Sequence, residues 1–141
     1  MPDRENGLRS YQVTVERQDK AHALASSHGH TLTLGARQGD STAGFNAAET
    51  LLASLGACLI TNVTALAEKM RLQVDQVRVE IEGDRRDEPP GIVQIRYRLV
   101  LDSPEPLDKL EKLHEVVFRW GTVTNTLLDG AAIQGDLLNA R

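Results

Sequence analysis

Apolar and polar residues alternate near the N-terminus. Tyr11, Val13 and Val15 are interleaved with Gln12, Thr14 and Glu16, a period of two that gives one apolar face and predicts a strand. Past a polar turn at residues 18–19, a weaker candidate covers 21–25. Residues 30–34 alternate again, with Leu32 and Leu34 on one side. Three short strands with short connections predict an antiparallel meander. The stretch GARQGDSTAGFN that follows is loop by composition.

From about residue 47 the period changes and predicts a helix to residue 70. Asn46 is a good N-cap, and Glu49, three positions on, completes the capping box. The first half, AAETLLASLGACLI, carries one charge, and a helix apolar nearly all round needs cover on most sides. In the second half Leu59, Val63, Leu66 and Met70 share a face, while Glu68, Lys69 and Arg71 turn toward water.

Two longer strands follow. Val77, Val79 and Ile81 alternate with Arg78, Glu80 and Glu82; Val93, Ile95, Tyr97, Leu99 and Leu101 alternate with Gln94, Arg96 and Arg98. Between them DRRDEPPG predicts a solvated hairpin loop. One charged and one apolar face call for a helix layer on one side only. Leu107, Leu110, Leu113, Val117 and Phe118 recur at helical spacing, with Gly121 as the stop. Residues 124–128 predict a short third helix capped by Thr124 or Asn125, and 131–138 a last strand. The order βββαββααβ is that of one α+β domain over residues 1–141.

Composition bounds the function. The chain has 141 residues, 40% apolar and 26% charged, with a net charge of −4. That sustains a core and gives no electrostatic reason to bind nucleic acid or an acidic membrane. MPDRENGLRS holds no signal core, and the longest apolar run is interrupted by Glu49 and ends before Glu68; a soluble cytoplasmic protein is expected. A single cysteine, Cys58, excludes an intrachain disulfide and a Cys-rich zinc site. His28 and His30 have a ligand-like spacing but no companions, so neither metal nor cofactor is expected. His114 and Trp120 read as packing residues, and Cys58 itself fits a core as a small hydrophobe.

The stretch from Gly44 to Leu59 resembles the central-helix motif of the OsmC/Ohr family of small thiol proteins. Members typically show Asn-Pro-x-Glu-Leu-Leu-x-Ala-x-x-x-Ala-Cys; here Asn46, Glu49, Leu51, Leu52, Ala53, Ala57 and Cys58 match. The resemblance implies an intertwined homodimer with its central helices packed between two sheets. In the peroxidase members the helix cysteine attacks a hydroperoxide and becomes a sulfenic acid. A second cysteine, in Cys-Pro-Val-x-Asn-Thr-Leu, then forms a disulfide with it.

Cys58 maps onto the attacking cysteine. In the second segment Val123, Asn125, Thr126 and Leu127 match, but Gly121 stands in place of the resolving cysteine and Thr122 in place of proline. A two-cysteine cycle within the chain is thereby excluded. A thiolate also wants a nearby arginine, itself held by a carboxylate. By resemblance the arginine is Arg37 or Arg17. The family carboxylate lies ten residues before the cysteine, where this chain has Ala48. Glu49 lies nine before, about 180° out of phase on an ideal helix, and is equally a cap.

Two functions follow from the resemblance. One is one-cysteine reduction of hydroperoxides through Cys58, in oxidative-stress defence, with an external thiol such as glutathione, a dihydrolipoyl protein or thioredoxin as reductant. The other is a non-catalytic dimer that binds a small apolar ligand at the subunit interface, lined by Phe45, Leu55, Trp120 and the space at Gly121.

Overall fold

The computed structural model describes residues 7–140. Residues 1–6, part of the stretch read above as lacking a signal core, lie outside the described residues. The chain divides into two compact units, one ending at Leu51 and the other beginning at Leu52.

The first unit holds a three-stranded antiparallel sheet, β1 (Thr14–Arg17), β2 (His22–Ser27) and β3 (His30–Gly35), in that order. This is the expected meander. Between β2 and β3, Ser27 pairs with His30, leaving His28 and Gly29 at φ 52° and 78°. Positive φ at both central residues is what a two-residue hairpin of this twist requires. The turn before β2 is held by Asp19, whose carboxylate accepts from the Ala21 amide at 2.8 Å and contacts His22 Nδ1 at 2.9 Å. These bonds keep the Asp19 carboxyl below the usual carboxylate range.

β1 is shorter than the alternation suggests. Its partner β2 has already turned at His28, so residues before Thr14 have no strand to pair with. Tyr11 and Val13 are exposed, as is Val15 within the strand. At the other end of the sheet the Gly35 amide donates to the Phe45 carbonyl at 2.8 Å and closes the loop on itself.

The long helix α1 (Ala47–Lys69) begins with the expected box: the Glu49 amide donates to Asn46 Oδ1 at 2.8 Å and the Asn46 amide to Glu49 Oε1 at 3.0 Å. In the second unit it is followed by β4 (Gln76–Asp87), β5 (Pro90–Asp102), α2 (Leu107–Arg119) and α3 (Thr122–Asp129). β4 and β5 form one long antiparallel ribbon, from Gln76 opposite Asp102 to Asp87 opposite Pro90. The charged residues 84–87 are therefore strand, not loop, and only Glu88 and Pro89 make the turn. These charges stay in the ribbon because they face water and pair there: Arg96 donates to Asp84 at 2.6 Å and to Glu82 at 3.0 Å.

Leu55, Leu59, Val63 and Ala67 form a buried row along α1, joined by Leu113 and Val117 of α2. Val77, Val79 and Ile81 of β4 and Tyr97, Leu99 and Leu101 of β5 pack against them. Gly56 allows the close approach, since a Cβ there would meet Ile81 Cδ1 at 3.1 Å. The cover expected on most sides of α1 is present on this face; Leu51 and Ile60 are exposed. By length and composition alone α1 could cross a membrane, and its buried row is that of a core helix.

Two sequence expectations fail near the C-terminus. Residues 131–138 form no strand, and Ile133, Leu137 and Leu138 are almost fully exposed; β4 and β5 pair only with each other. The third helix starts at Thr122 with Gly121 as its N-cap, rather than at Thr124 or Asn125. The Asn125 amide instead makes the first helical bond to the Gly121 carbonyl at 2.9 Å, and its side chain donates to the Arg119 carbonyl at 3.1 Å. Gly121, the expected stop of α2, does follow that helix's C-cap, Trp120, and is at once the N-cap of α3.

Leu59→Ala is expected to lose about 2–5 kcal/mol of stability, because its fully buried side chain leaves a cavity. Asn46→Ala should lose only about 0.5–2 kcal/mol, the worth of a cap. Urea unfolding followed by circular dichroism measures both, and equal losses would contradict the placement of the core on this face of α1.

Candidate functional site

Cys58 is half-buried in the middle of α1, next to the core residue Leu59. What stands against it is the junction of α2 and α3. Leu113 and Val117 fix α2 in the core, and the chain then passes from Trp120, the last cap of α2, through a single residue into α3. That residue is Gly121, buried, with extended backbone at φ −78° and ψ 123°. A Cβ at position 121 would stand 3.4 Å from Cys58 Sγ. The helix motif and the second segment thus meet at these two residues in the folded chain.

The same point is crowded from the other side. It lies 2.5 Å from Thr124 Oγ1 and 2.9 Å from Thr124 Cβ. Only a residue without a side chain leaves room for Thr124 here. Thr124 is 4% exposed, and its hydroxyl is buried without a hydrogen-bond partner. Other helical threonines avoid this fate by donating to the carbonyl one turn back: Thr50 to Asn46 at 2.6 Å, Thr61 to Ala57 at 2.8 Å, Thr64 to Ile60 at 3.0 Å and Thr126 to Thr122 at 2.8 Å. For Thr124 that carbonyl belongs to Trp120, the C-cap of α2, which precedes even the N-cap of α3. A second buried polar atom without a partner, Asn62 Nδ2, sits one turn after Cys58 on α1.

The remaining expected site residues are placed as follows. Arg17 ends β1 opposite Ala23, and Arg37 lies in the loop after β3, where its charge acts on Asp40. The Asp40 carboxyl is held below its usual range first by the Thr42 hydroxyl and amide, then by Arg37. Glu49 is engaged in the capping box. Leu55 is a core residue, whereas Phe45 and Trp120 are 59% and 69% exposed. Arg17, Arg37, Phe45 and Glu49 belong to the first unit; Cys58, Leu55, Trp120 and Gly121 belong to the second.

Sequence reasoning did not single out Thr124 or Asn62, nor a pair formed across the second unit. Tyr97 Oη and His114 Nε2 are 2.6 Å apart, with their rings edge to face. Burial pushes the Tyr97 hydroxyl above its usual pKa. His114 also borders a surface cavity of about 500 Å³ with Glu115, Phe118, Arg119 and Asn125. The i, i+4 spacing of His114 and Phe118 on α2 carried the only hint of this cluster.

Comparison with known proteins follows the same lines. The model of the OsmC-like protein family matches residues 37–134. An OsmC-like protein from Mycoplasma pneumoniae is similar in structure, at a TM-score of 0.79 and 21% identity, over 86% of this chain and 89% of that one. The organic hydroperoxide resistance protein OhrB of Bacillus subtilis has a TM-score of 0.60 and 15% identity, over 86% and 92%. An OsmC-like hydroperoxide resistance protein from Jannaschia gives 0.56 and 17%, over 91% of each chain. At these identities the likeness is one of fold. No curated protein matches the sequence.

Gly121→Ala is expected to lower stability by about 1–3 kcal/mol, as overpacking does, because the new Cβ collides with Thr124. In a Thr124→Ala background, which removes the nearest atom, the loss should shrink by more than about 0.5 kcal/mol. Thermal unfolding of the four proteins gives the coupling, and strict additivity would refute the contact.

Proposed function

Because the chain belongs to the OsmC-like protein family, we propose that it reduces organic hydroperoxides through Cys58 and draws on an external thiol as reductant. The observation that carries this reading is the contact of Cys58 with the Gly121 position. It joins the two segments whose counterparts in the peroxidase members hold the attacking and the resolving cysteine. The protein works as a cytoplasmic homodimer, in which a second copy covers apolar side chains that α1 leaves exposed, among them Ile60.

The chemistry runs in two stages. The Cys58 thiolate attacks the terminal oxygen of the hydroperoxide; the S–O bond forms as the O–O bond breaks, and the alkoxide leaves and takes a proton from water. Sulfur gives up two electrons and the peroxide gains them. An external thiol then attacks the sulfenic sulfur and expels water, forming a mixed disulfide. A second thiol releases Cys58, so two thiols become one disulfide for each hydroperoxide reduced. A positive charge near the sulfur favours the thiolate, and Arg37 and Arg17 are the arginines that the family resemblance offers for that role. Lacking a second cysteine, the chain leaves the sulfenic acid exposed to further oxidation until the external thiol arrives.

A different reading, a dimer that binds a small apolar ligand without catalysis, draws its support from the exposed aromatic surfaces of Phe45 and Trp120. The two are separated by one assay. With dithiothreitol as reductant, the native protein should consume cumene hydroperoxide at least about 100-fold faster than Cys58→Ser, which lacks the nucleophile. Equal slow rates for both proteins would sink the peroxidase reading and leave ligand binding.

A further inference from the structure

Among the described residues, two buried side-chain polar atoms lack partners, and both belong to the second unit, as Cys58 does. Thr124 Oγ1 and Cys58 Sγ flank the same point, the empty Cβ position of Gly121. Asn62 follows Cys58 by one helical turn. Helical side chains at this spacing share a face and lean toward the N-terminal end, so Asn62 covers the turn that carries the thiol. A hydroxyl beside the Gly121 position and an amide nitrogen one turn along α1 thus lie in the surroundings of the thiol, and each is a buried donor with nothing to donate to.

Burying a donor without a partner costs free energy, so the arrangement calls for an acceptor that comes and goes. The reduced thiol is a weak acceptor. An oxygen bound to Cys58 Sγ is a strong one, more so when anionic. We propose that Thr124, with Asn62 as second donor, binds the oxygen that Cys58 acquires on oxidation and protects the sulfenate from a second hydroperoxide. This rests on the reading that Cys58 is oxidised by hydroperoxides. It assigns to Thr124 a task that the missing second thiol leaves open, which is to keep the sulfenic acid reducible.

The step being suppressed is over-oxidation. The sulfenate sulfur attacks another hydroperoxide, a second S–O bond forms, the O–O bond breaks, and the alkoxide leaves and is protonated by water. The sulfinic acid that results is not reduced by simple thiols. Hydrogen bonds to the sulfenate oxygen withdraw electron density from the sulfur and slow this attack. They leave the sulfur open to the external thiol, whose attack expels that oxygen as hydroxide, the thiol's proton going with it.

The test compares the native protein with Thr124→Val and Thr124→Ser. Val keeps the shape and removes the hydroxyl; Ser keeps the hydroxyl. Each is exposed to the same excess of cumene hydroperoxide, and sulfenic acid, trapped with dimedone, and sulfinic acid are measured by intact mass. Thr124→Val should convert to sulfinic acid about tenfold faster, as expected for losing a hydrogen bond to a charged group, and Thr124→Ser should resemble the native protein. Reduced Thr124→Val should melt no lower than native, because the hydroxyl it loses has no partner. Asn62→Leu should show a smaller change in the same direction. If Val and Ser variants over-oxidise at the native rate, the proposal fails while the peroxidase reading stands. If the native protein yields neither oxidised form, both fail.

Discussion

The second unit depends on the burial of one row of α1. Leu55, Leu59, Val63 and Ala67 are four residues apart in succession, and all face the apolar side of the β4–β5 ribbon and of α2. Burying side chains of this size contributes roughly 1.5–3 kcal/mol each for the larger ones, which fixes how α1 is rotated. Residue 58 is then about 100° from residue 59 around the helix. Cys58 consequently lands on the margin of the core, half-buried, and not in its middle. The same core holds Leu113 and Val117, so the end of α2 is brought to the level of Cys58 without any contact made by the thiol itself.

Where α2 ends, the chain has one residue in which to start another helix. That economy has two local consequences. Gly121 must be extended to turn the chain, and the first turn of α3 has no helical residue behind it to accept from Thr124. The threonine hydroxyl is left in the interior, at a desolvation cost of roughly 1–3 kcal/mol. Its methyl group and the rest of the junction, held by the bond from Asn125 to the Arg119 carbonyl, offset that cost through packing.

Features written in nearest-neighbour pattern were legible in the sequence. The capping box of Asn46 and Glu49, the alternation of β4 and β5, and the periodicity of α2 all follow from spacings within one element. Features set by a partner were not. β1 stops near the point where β2 turns, and residues 131–138 pair with none of the strand edges that the two sheets present. The DRRDE charges looked like a loop, yet cross-strand pairing of Arg96 with Asp84 and Glu82 keeps residues 84–87 in the ribbon. Cys58 and Gly121 could be named as candidates from the resemblance alone. Thr124 could not be named as a site residue, since its burial arises from a junction whose cap the sequence reading placed three or four residues too late.

The single cysteine takes on a different meaning once Thr124 is in view. A chain that had merely lost a second thiol would carry a gap opposite Cys58, and restoring a side chain at residue 121 would fill it. Here the gap is already filled. A Cβ at 121 would meet Thr124 Oγ1 at 2.5 Å before it met anything else. Gly121 and Thr124 therefore form a matched pair, the absence of one side chain making room for the other. The position opposite the thiol holds a hydrogen-bond donor, where the peroxidase members hold a nucleophile. On the proposed function, a nucleophile opposite Cys58 would resolve an oxidised sulfur within the chain, whereas a donor would hold it for a reductant from outside. The chemistry open to Cys58 is thus set less by how many cysteines the chain contains than by what the α2–α3 junction presents to the one it has.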